Sequence, residues 1–337
     1  MKNYLFYALI LFFFTELSCK KKDSSKPVIE PPDKIDNTNT DPRFTNKDCL
    51  KDLLFANKKN YQIETSEAAT FSSIDPDVTV STTGLIGRIT SGELVTIDVT
   101  WTKNGSKTKL YAFGATDNDY VEPFATYHAA ESENPYGQYV KGWETLRRLP
   151  KTDATYFIVL RHADANNGKD FSKTTGPANW WLSCESTMAR QLNQQGIDRA
   201  TELGKVFKDL NYPIARVISS EFCRAKATAE LIDAGPQIQI DGRVNHPAYN
   251  VSGKSLFGGL KEIIKEQPVD NKITLISTHH PINEFNNSGL ATFPKVSAFN
   301  WTGAYIVKVE KDKSFTYEGA ISWGMFKYWR DKKLNKL

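Results

Sequence analysis

The sequence predicts an α/β domain in its C-terminal half, a mostly parallel sheet sandwiched by helices, preceded by a small β-rich module. Three observations predict it. From Lys151 onward, short apolar runs alternate with segments of helical period, the pattern of a parallel sheet with covering helices. Before Lys151, runs rich in Val, Ile, Thr and aromatics are separated by turn residues, the pattern of antiparallel strands. Finally, three of the later apolar runs end directly in Arg or His, which places basic side chains at one edge of the sheet.

The N-terminus carries an address rather than a fold. Lys2 precedes an apolar run, Tyr4 to Phe14, which is too short to span a bilayer comfortably and so fits a signal peptide. Leu17-Ser18-Cys19 resembles the lipobox of bacterial lipoproteins, departing from it at Glu16, where an aliphatic residue is usual. The resemblance implies that the signal segment 1–19 is cut just before Cys19, that Cys19 carries a lipid as the mature N-terminus, and that the protein reaches the cell envelope. It would be held there on the periplasmic or outer-surface side. An ordinary signal peptide with an unrelated Cys is the other reading. Residues 20–43, rich in Lys, Ser, Pro, Asp and Asn, have no apolar period and fit a flexible tether.

Residues 44–150 form the β-rich module. Val78 to Thr82, Leu94 to Trp101 and Lys107 to Phe113 are its strand-like runs, and Asn104-Gly105 between the last two signals a hairpin. A small sandwich-like arrangement is expected. Its later part, Tyr120 to Leu149, is irregular and aromatic and suited to packing on the C-terminal half. Residues 151–337 form the α/β domain. Tyr156 to Leu160, Arg216 to Ile218 and Ile273 to Ile276 read as parallel strands. Helices are expected through Leu192–Leu210, Phe222–Ile232 and Leu256–Ile264, and Gly303–Val309 with Ser314–Ile321 as an antiparallel pair. The 337 residues carry 43 Lys and Arg against 39 Asp and Glu. Much of the small excess lies in Lys20–Lys22 and in the tail Lys327–Lys336, read as a solvated end. With no basic stripe through the body, nucleic acid is a poor candidate partner.

The chemistry gathers at the strand ends. The first parallel strand runs into Arg161-His162, the second into Ser219-Ser220 and then Arg224 at a helix start, the third into Ser277-Thr278-His279-His280. Arg forks match phosphate oxygens, and a helix N-terminus adds partial positive charge. A pocket for one phosphoryl group is expected, with the His162 imidazole reachable from solvent.

Val159-Leu160-Arg161-His162-Ala163-Asp164 resembles the Arg-His-Gly signature of the histidine phosphatase superfamily, the phosphoglycerate mutase-like fold. Leu192 to Ala200 with Leu203-Gly204 is similar to that family's first-helix pattern. Ser219-Ser220 followed by Arg224 to Glu230 is similar to its second motif, and Ile276 to His279 to the strand carrying its second His. The resemblance covers about Thr155 to Gly324. It implies that His162 takes up the phosphoryl group as phosphohistidine, that Arg161, Arg224 and His279 hold its oxygens, and that no metal or cofactor is needed. The partner is then a small phosphorylated substrate.

Two departures stand out. Ala163 replaces the usual Gly, and the region where many members carry an acidic proton donor reads Asp241-Gly242-Arg243-Val244-Asn245-His246-Pro247, without Glu. Asp164, Glu284 and His246 are the candidate general acids. His280, Trp180 and Trp181 are candidates to line the substrate pocket, though a loop role for His280 and a core role for the two Trp fit equally simple readings. Setting Cys19 aside leaves Cys49, Cys184 and Cys223, an odd number. In the expected fold Cys184 and Cys223 lie near one site, as a disulfide or as two buried thiols. A phosphomutase and a non-catalytic anion-binding lipoprotein are the rival functions.

Overall fold

The computed structural model describes residues 41–46, 49–50, 53–56, 60–90, 93–114, 142–143, 145–151, 153–165, 168–246, 249, 256–279 and 301–334. Cys19, Glu284 and His280 lie outside these residues. No helix among the described residues is long and apolar enough to cross a membrane.

The β-rich region holds two sheets. Strands β1 (Cys49–Leu50), β2 (Leu53–Ala56), β4 (Ala69–Ser72), β7 (Leu94–Trp101) and β8 (Lys107–Gly114) form one, in the order β1-β2-β8-β7-β4. Strands β3 (Tyr61–Gln62), β5 (Val78–Val80) and β6 (Leu85–Ile89) form the other, in the order β3-β6-β5. Alternation decides the inward face. Val95, Ile97, Val99 and Trp101 of β7 are buried and share one apolar core with Leu110 of β8, Ile86 of β6 and Val78 of β5. The expected hairpin forms between β7 and β8. Gly105 sits at φ +67° and donates its N–H to the Trp101 carbonyl, a conformation glycine adopts without steric cost.

The second region is a six-stranded sheet in the order β11-β10-β12-β9-β13-β14, from β9 (Thr155–Arg161), β10 (Ile214–Ser219), β11 (Ile238–Ile240), β12 (Ile273–Thr278), β13 (Ala304–Val309) and β14 (Phe315–Ile321). The first four in that order run parallel, while β13 and β14 close one side antiparallel. Register aligns Arg161 with Thr278 and Ser277 with Ser219, so the motif-bearing ends reach the same edge. Every residue of β12 and all but the last of β9 are buried, which is why both read as unbroken apolar runs.

Helices α1 (Gln194–Asp209), α2 (Cys223–Ile232), α3 (Leu256–Glu266) and α4 (Trp323–Lys333) accompany the sheet. Asn193 caps α1, its side chain accepting from Gly196 N–H. Gly196 also lets α1 meet the backbone after β9, because a Cβ there would lie 2.2 Å from the Asp164 carbonyl oxygen. Helix α4 corrects the reading of the tail as a solvated end. Ser322 caps it, Met325, Phe326 and Tyr328 are buried, and Arg330 pairs with Glu202 of α1 and with Asp331. Lys332 and Lys333 do remain exposed.

The described residues from Pro42 onward belong to one compact unit. Leu53 and Tyr111 of the β-rich region belong to the same buried cluster as the six-stranded sheet, and the Tyr111 and Tyr328 rings lie 5.4 Å apart. Trp143 of the aromatic stretch packs on Tyr328 and Trp329. An ion pair between buried Arg199 and half-buried Glu93 adds to the join. Glu93 Oε1 accepts from Arg199 Nε at 2.9 Å and Nη2 at 2.5 Å, while its Oε2 accepts from Trp323 Nε1 at 3.3 Å.

Candidate active site

The backbone stitches the strand ends together before any side chain acts. His162 N–H donates to the Thr278 carbonyl at 2.8 Å, and Ser220 N–H to the Ser277 carbonyl at 3.0 Å. His162, Ser220 and His279 are thereby held at neighbouring points of one edge.

The imidazole of His162 has its tautomer set by its surroundings. Nδ1 lies 2.8 Å from the Ala163 carbonyl, which can only accept, so Nδ1 carries the proton. The Nε2 lone pair then accepts from Arg224 Nε–H at 3.0 Å. His279 lies with its ring 5.3 Å from that of His162, edge on. Its Nε2 is 2.7 Å from Ser220 Oγ, and its buried Nδ1 has no hydrogen-bond partner among the described residues. Arg224 extends over the Phe222 ring at 4.7 Å and gives Nη1–H to Asp170 Oδ1 at 2.9 Å. Arg161 lies over the Trp301 ring at 5.0 Å. The structure thus brings His162, Arg224 and His279 into one cluster, with the Arg161 charge acting on both imidazoles.

One expectation needs correcting. The His162 imidazole is 4% exposed rather than open to solvent, and the group against its reactive nitrogen is Arg224. A ligand therefore meets the nucleophile by taking over the Arg224 hydrogen bond.

Burial, followed by the charges of Arg224 and Arg161, holds the His162 pKa well below the usual 6.5. Burial, followed by Arg224 and His162, does the same for His279. Both rings are neutral at neutral pH. Since the native state then binds fewer protons than the unfolded chain below about pH 6.5, the contribution of these groups to stability is complete above that pH. It is lost as pH falls through the folded values. Urea unfolding between pH 7.5 and 5 is expected to show falling stability on the acid side. In kcat/KM, loss from protonation of the nucleophile in the free enzyme should likewise begin only below 6.5. An acid limb at 6.5 that moves when His162 is changed would contradict this.

The candidate acids divide. Asp164 is 3% exposed, and its Oδ1 accepts from Asn193 Nδ2 at 3.1 Å. With the Gln195 amide oriented by its neighbours, Oδ2 accepts from that side chain at 3.1 Å. Burial, opposed by Arg199, raises the Asp164 pKa, but these bonds tie the carboxyl to the start of α1. His246 keeps an exposed surface, its ring 6.2 Å from that of His279, and partial desolvation followed by the Arg224 charge lowers its pKa. Trp180 is a core residue, 1% exposed among Phe171, Phe222 and Tyr249, so it has no free face for a ligand. Trp181 is half-buried against Tyr249. No group of three or more His, Cys, Asp or Glu among the described residues is arranged to hold a metal ion.

Cys184 and Cys223 form a disulfide. The bond ties the segment before α1 to the first residue of α2, next to Arg224. Changing both Cys184 and Cys223 to Ser is expected to cost about 2–4 kcal/mol of stability, the usual effect of opening a loop of this size. Equal unfolding midpoints with and without reductant would contradict it.

Asp170 and Trp301 escaped the sequence reading, and Ser220 and Phe222 entered it only as parts of a motif and a helix, with no role of their own. Ser220 stands inside a recognised motif and was open to recognition there. Asp170 gives no sequence signal, being 54 residues from Arg224 in a segment without periodicity.

Residues 159–246 match the model of the histidine phosphatase superfamily (branch 1). The fold is the mixed α/β, phosphoglycerate mutase-like architecture, with a β-rich N-terminal region, and the match supports an enzyme of phosphatase or mutase type. Among solved structures, the chain is similar to the protein histidine phosphatase SixA complexed with tungstate (19% identity, TM-score 0.37, covering 50% of this chain and 97% of that one). It is also similar to a phosphoserine phosphatase from Entamoeba histolytica in complex with 3-phosphoglyceric acid (13%, 0.34, 51% and 99%). A third is a mycobacterial glucosyl-3-phosphoglycerate phosphatase with VO3 (11%, 0.33, 49% and 97%). No curated protein matches the chain.

Proposed function

We propose that the chain is a phosphatase that hydrolyses small phosphomonoesters through a phosphohistidine on His162, outside the cytoplasm. The observation that carries the reading is the fixed tautomer of His162, with a proton on Nδ1 and a lone pair on Nε2 facing Arg224. A phosphoryl oxygen takes over the Arg224 Nε–H, and Nε2 attacks phosphorus as the bond to the leaving oxygen breaks. Arg161 and Arg224 balance the charge of the oxygens, and His279, accepting from Ser220 at Nε2, offers its Nδ1–H. Water then attacks the phosphohistidine, the N–P bond breaks, and inorganic phosphate and a proton leave.

Among the described residues the leaving oxygen finds little help. Asp164 is tied to α1, and His246 is neutral at neutral pH. Substrates whose leaving groups need no proton, such as aryl phosphates, are therefore favoured. A placed general acid is worth about 10²–10⁴ in rate, which sets the scale of the preference over alkyl phosphates.

The address at residues 1–19 and the Cys184–Cys223 disulfide support an oxidising location, with the chain held to a membrane by a lipid on Cys19. Loss of palmitate labelling and of membrane association in Cys19→Ser is the expected result, and unchanged fractionation would contradict it. For the activity, the test is a panel of aryl and alkyl phosphates. Binding of inorganic phosphate without turnover of any member would leave an anion-binding protein instead. Transfer between two positions of one substrate would mean a mutase.

A further inference from the structure

We propose that Asp170 is a positioning residue for Arg224, holding the guanidinium still while a phosphoryl oxygen replaces His162 as the acceptor of its Nε–H. The inference rests on the phosphatase reading and adds to it a residue that lies outside every motif of the family resemblance.

The geometry is a chain of three groups. Asp170 Oδ1 accepts from Arg224 Nη1 at 2.9 Å, and Arg224 Nε donates to His162 Nε2 at 3.0 Å. The Arg224 side chain is 5% exposed and lies on the Phe222 ring. Nε, Nη1 and one face of the guanidinium are thus engaged. Asp170 is itself held. Its Oδ2 faces Arg190 Nη1 at 3.9 Å, and Arg190 Nη2 donates to the Ala165 carbonyl. The neighbouring Phe171 carbonyl accepts from Tyr249 Oη–H at 2.9 Å, and the Phe171 ring packs on Trp180. The same segment is joined to the first residue of α2 by the Cys184–Cys223 bond.

This arrangement matters because Arg224 has two successive acceptors. In the free protein its Nε–H lies on the lone pair that must reach phosphorus. When an oxygen enters, Nε–H changes partner, and a guanidinium anchored at Nη1 makes the change without rotating. A carboxylate beside Arg224 also offsets part of the charge that attracts the phosphoryl dianion. Asp170 therefore improves orientation at the expense of anion affinity, and its removal moves the two in opposite directions.

The test compares wild type with Asp170→Asn, which keeps the shape and removes the charge, and with Asp170→Glu, which restores the charge. Turnover of p-nitrophenyl phosphate, calorimetric binding of inorganic phosphate, and the ¹⁵N resonance of Arg224 Nε–H are read on each folded protein. Asp170→Asn is expected to lower kcat by about ten- to a hundredfold, the upper figure being the cost of displacing a catalytic group by about 1 Å. It should tighten phosphate binding severalfold and broaden the Arg224 Nε–H signal, and Asp170→Glu should recover part of kcat. An unchanged kcat, or kcat and phosphate binding weakened together, would overturn the proposal. Phosphate binding and the Arg224 resonance do not depend on turnover. If the wild type binds phosphate without hydrolysing any ester, the phosphatase reading fails, while an undisturbed Arg224 signal in Asp170→Asn fails the positioning role.

Discussion

Replacing His162 with alanine is expected to lower kcat on p-nitrophenyl phosphate by at least about a thousandfold, leaving only the modest catalysis that binding and charge stabilisation supply without a nucleophile. No other described side chain replaces it. His279 is neutral too, but its Nε2 is engaged by Ser220. Folding should survive, because the Ala163 N–H next to it is held by Thr228 Oγ1 at 2.9 Å and the His162 N–H by the Thr278 carbonyl. Adding Arg224→Ala to His162→Ala should cost far less than Arg224→Ala costs alone, since both act on one phosphoryl group. Steady-state rates with circular dichroism as a control for folding decide the matter. Retention of a tenth of the wild-type rate would remove His162 from the chemistry.

Glu93→Ala is expected to lower stability by about 3 kcal/mol, although Glu93 lies in the β-rich region. Its partner Arg199 is 5% exposed on α1, so the substitution leaves a buried guanidinium without the carboxylate that accepts from its Nε and Nη2. Trp323 Nε1 loses an acceptor at the same time. Because Arg199 also acts on Asp164, whose carboxyl bonds to the start of α1, activity should fall at temperatures where the protein is still folded. Glu93→Gln, which keeps an acceptor oxygen, should cost less. Urea midpoints measure both. A change within 0.5 kcal/mol for Glu93→Ala, the range of ordinary surface substitutions, would show that the two regions are not coupled through this pair.

The parts of the molecule legible in the sequence are those where one physical rule acts alone. Tyr156–Leu160 and Ile273–Ile276 are buried on both faces, so each reads as an apolar run, and the residues after them can only lie at the sheet edge. Asn104-Gly105 marks its turn because the backbone there needs positive φ. Strand β11 was not legible, since its three residues are half-buried or exposed and carry no run. Helix α4 was hidden by its lysines. Its buried face includes Arg330 and Asp331, charged residues that packing and ion pairs admit to the interior. The pairing of Cys184 with Cys223 was legible only as one of two options, because spacing alone does not fix a disulfide. Trp180 was equally ambiguous, and its placement follows from Phe171, Phe222 and Tyr249, which come from three separate segments. Asp170 depends on tertiary structure entirely, and so does the enclosure of His162 by Arg224.

The most direct measurement is to mix the protein with ³²P-labelled aryl phosphate, quench in alkali after milliseconds, and map the label, because a phosphohistidine survives base and is lost in acid. The account predicts one acid-labile label per chain on the peptide containing His162, formed and discharged at rates that support kcat, and absent from His162→Ala. Turnover by the wild type with no label at His162, or label on any other residue, would contradict it.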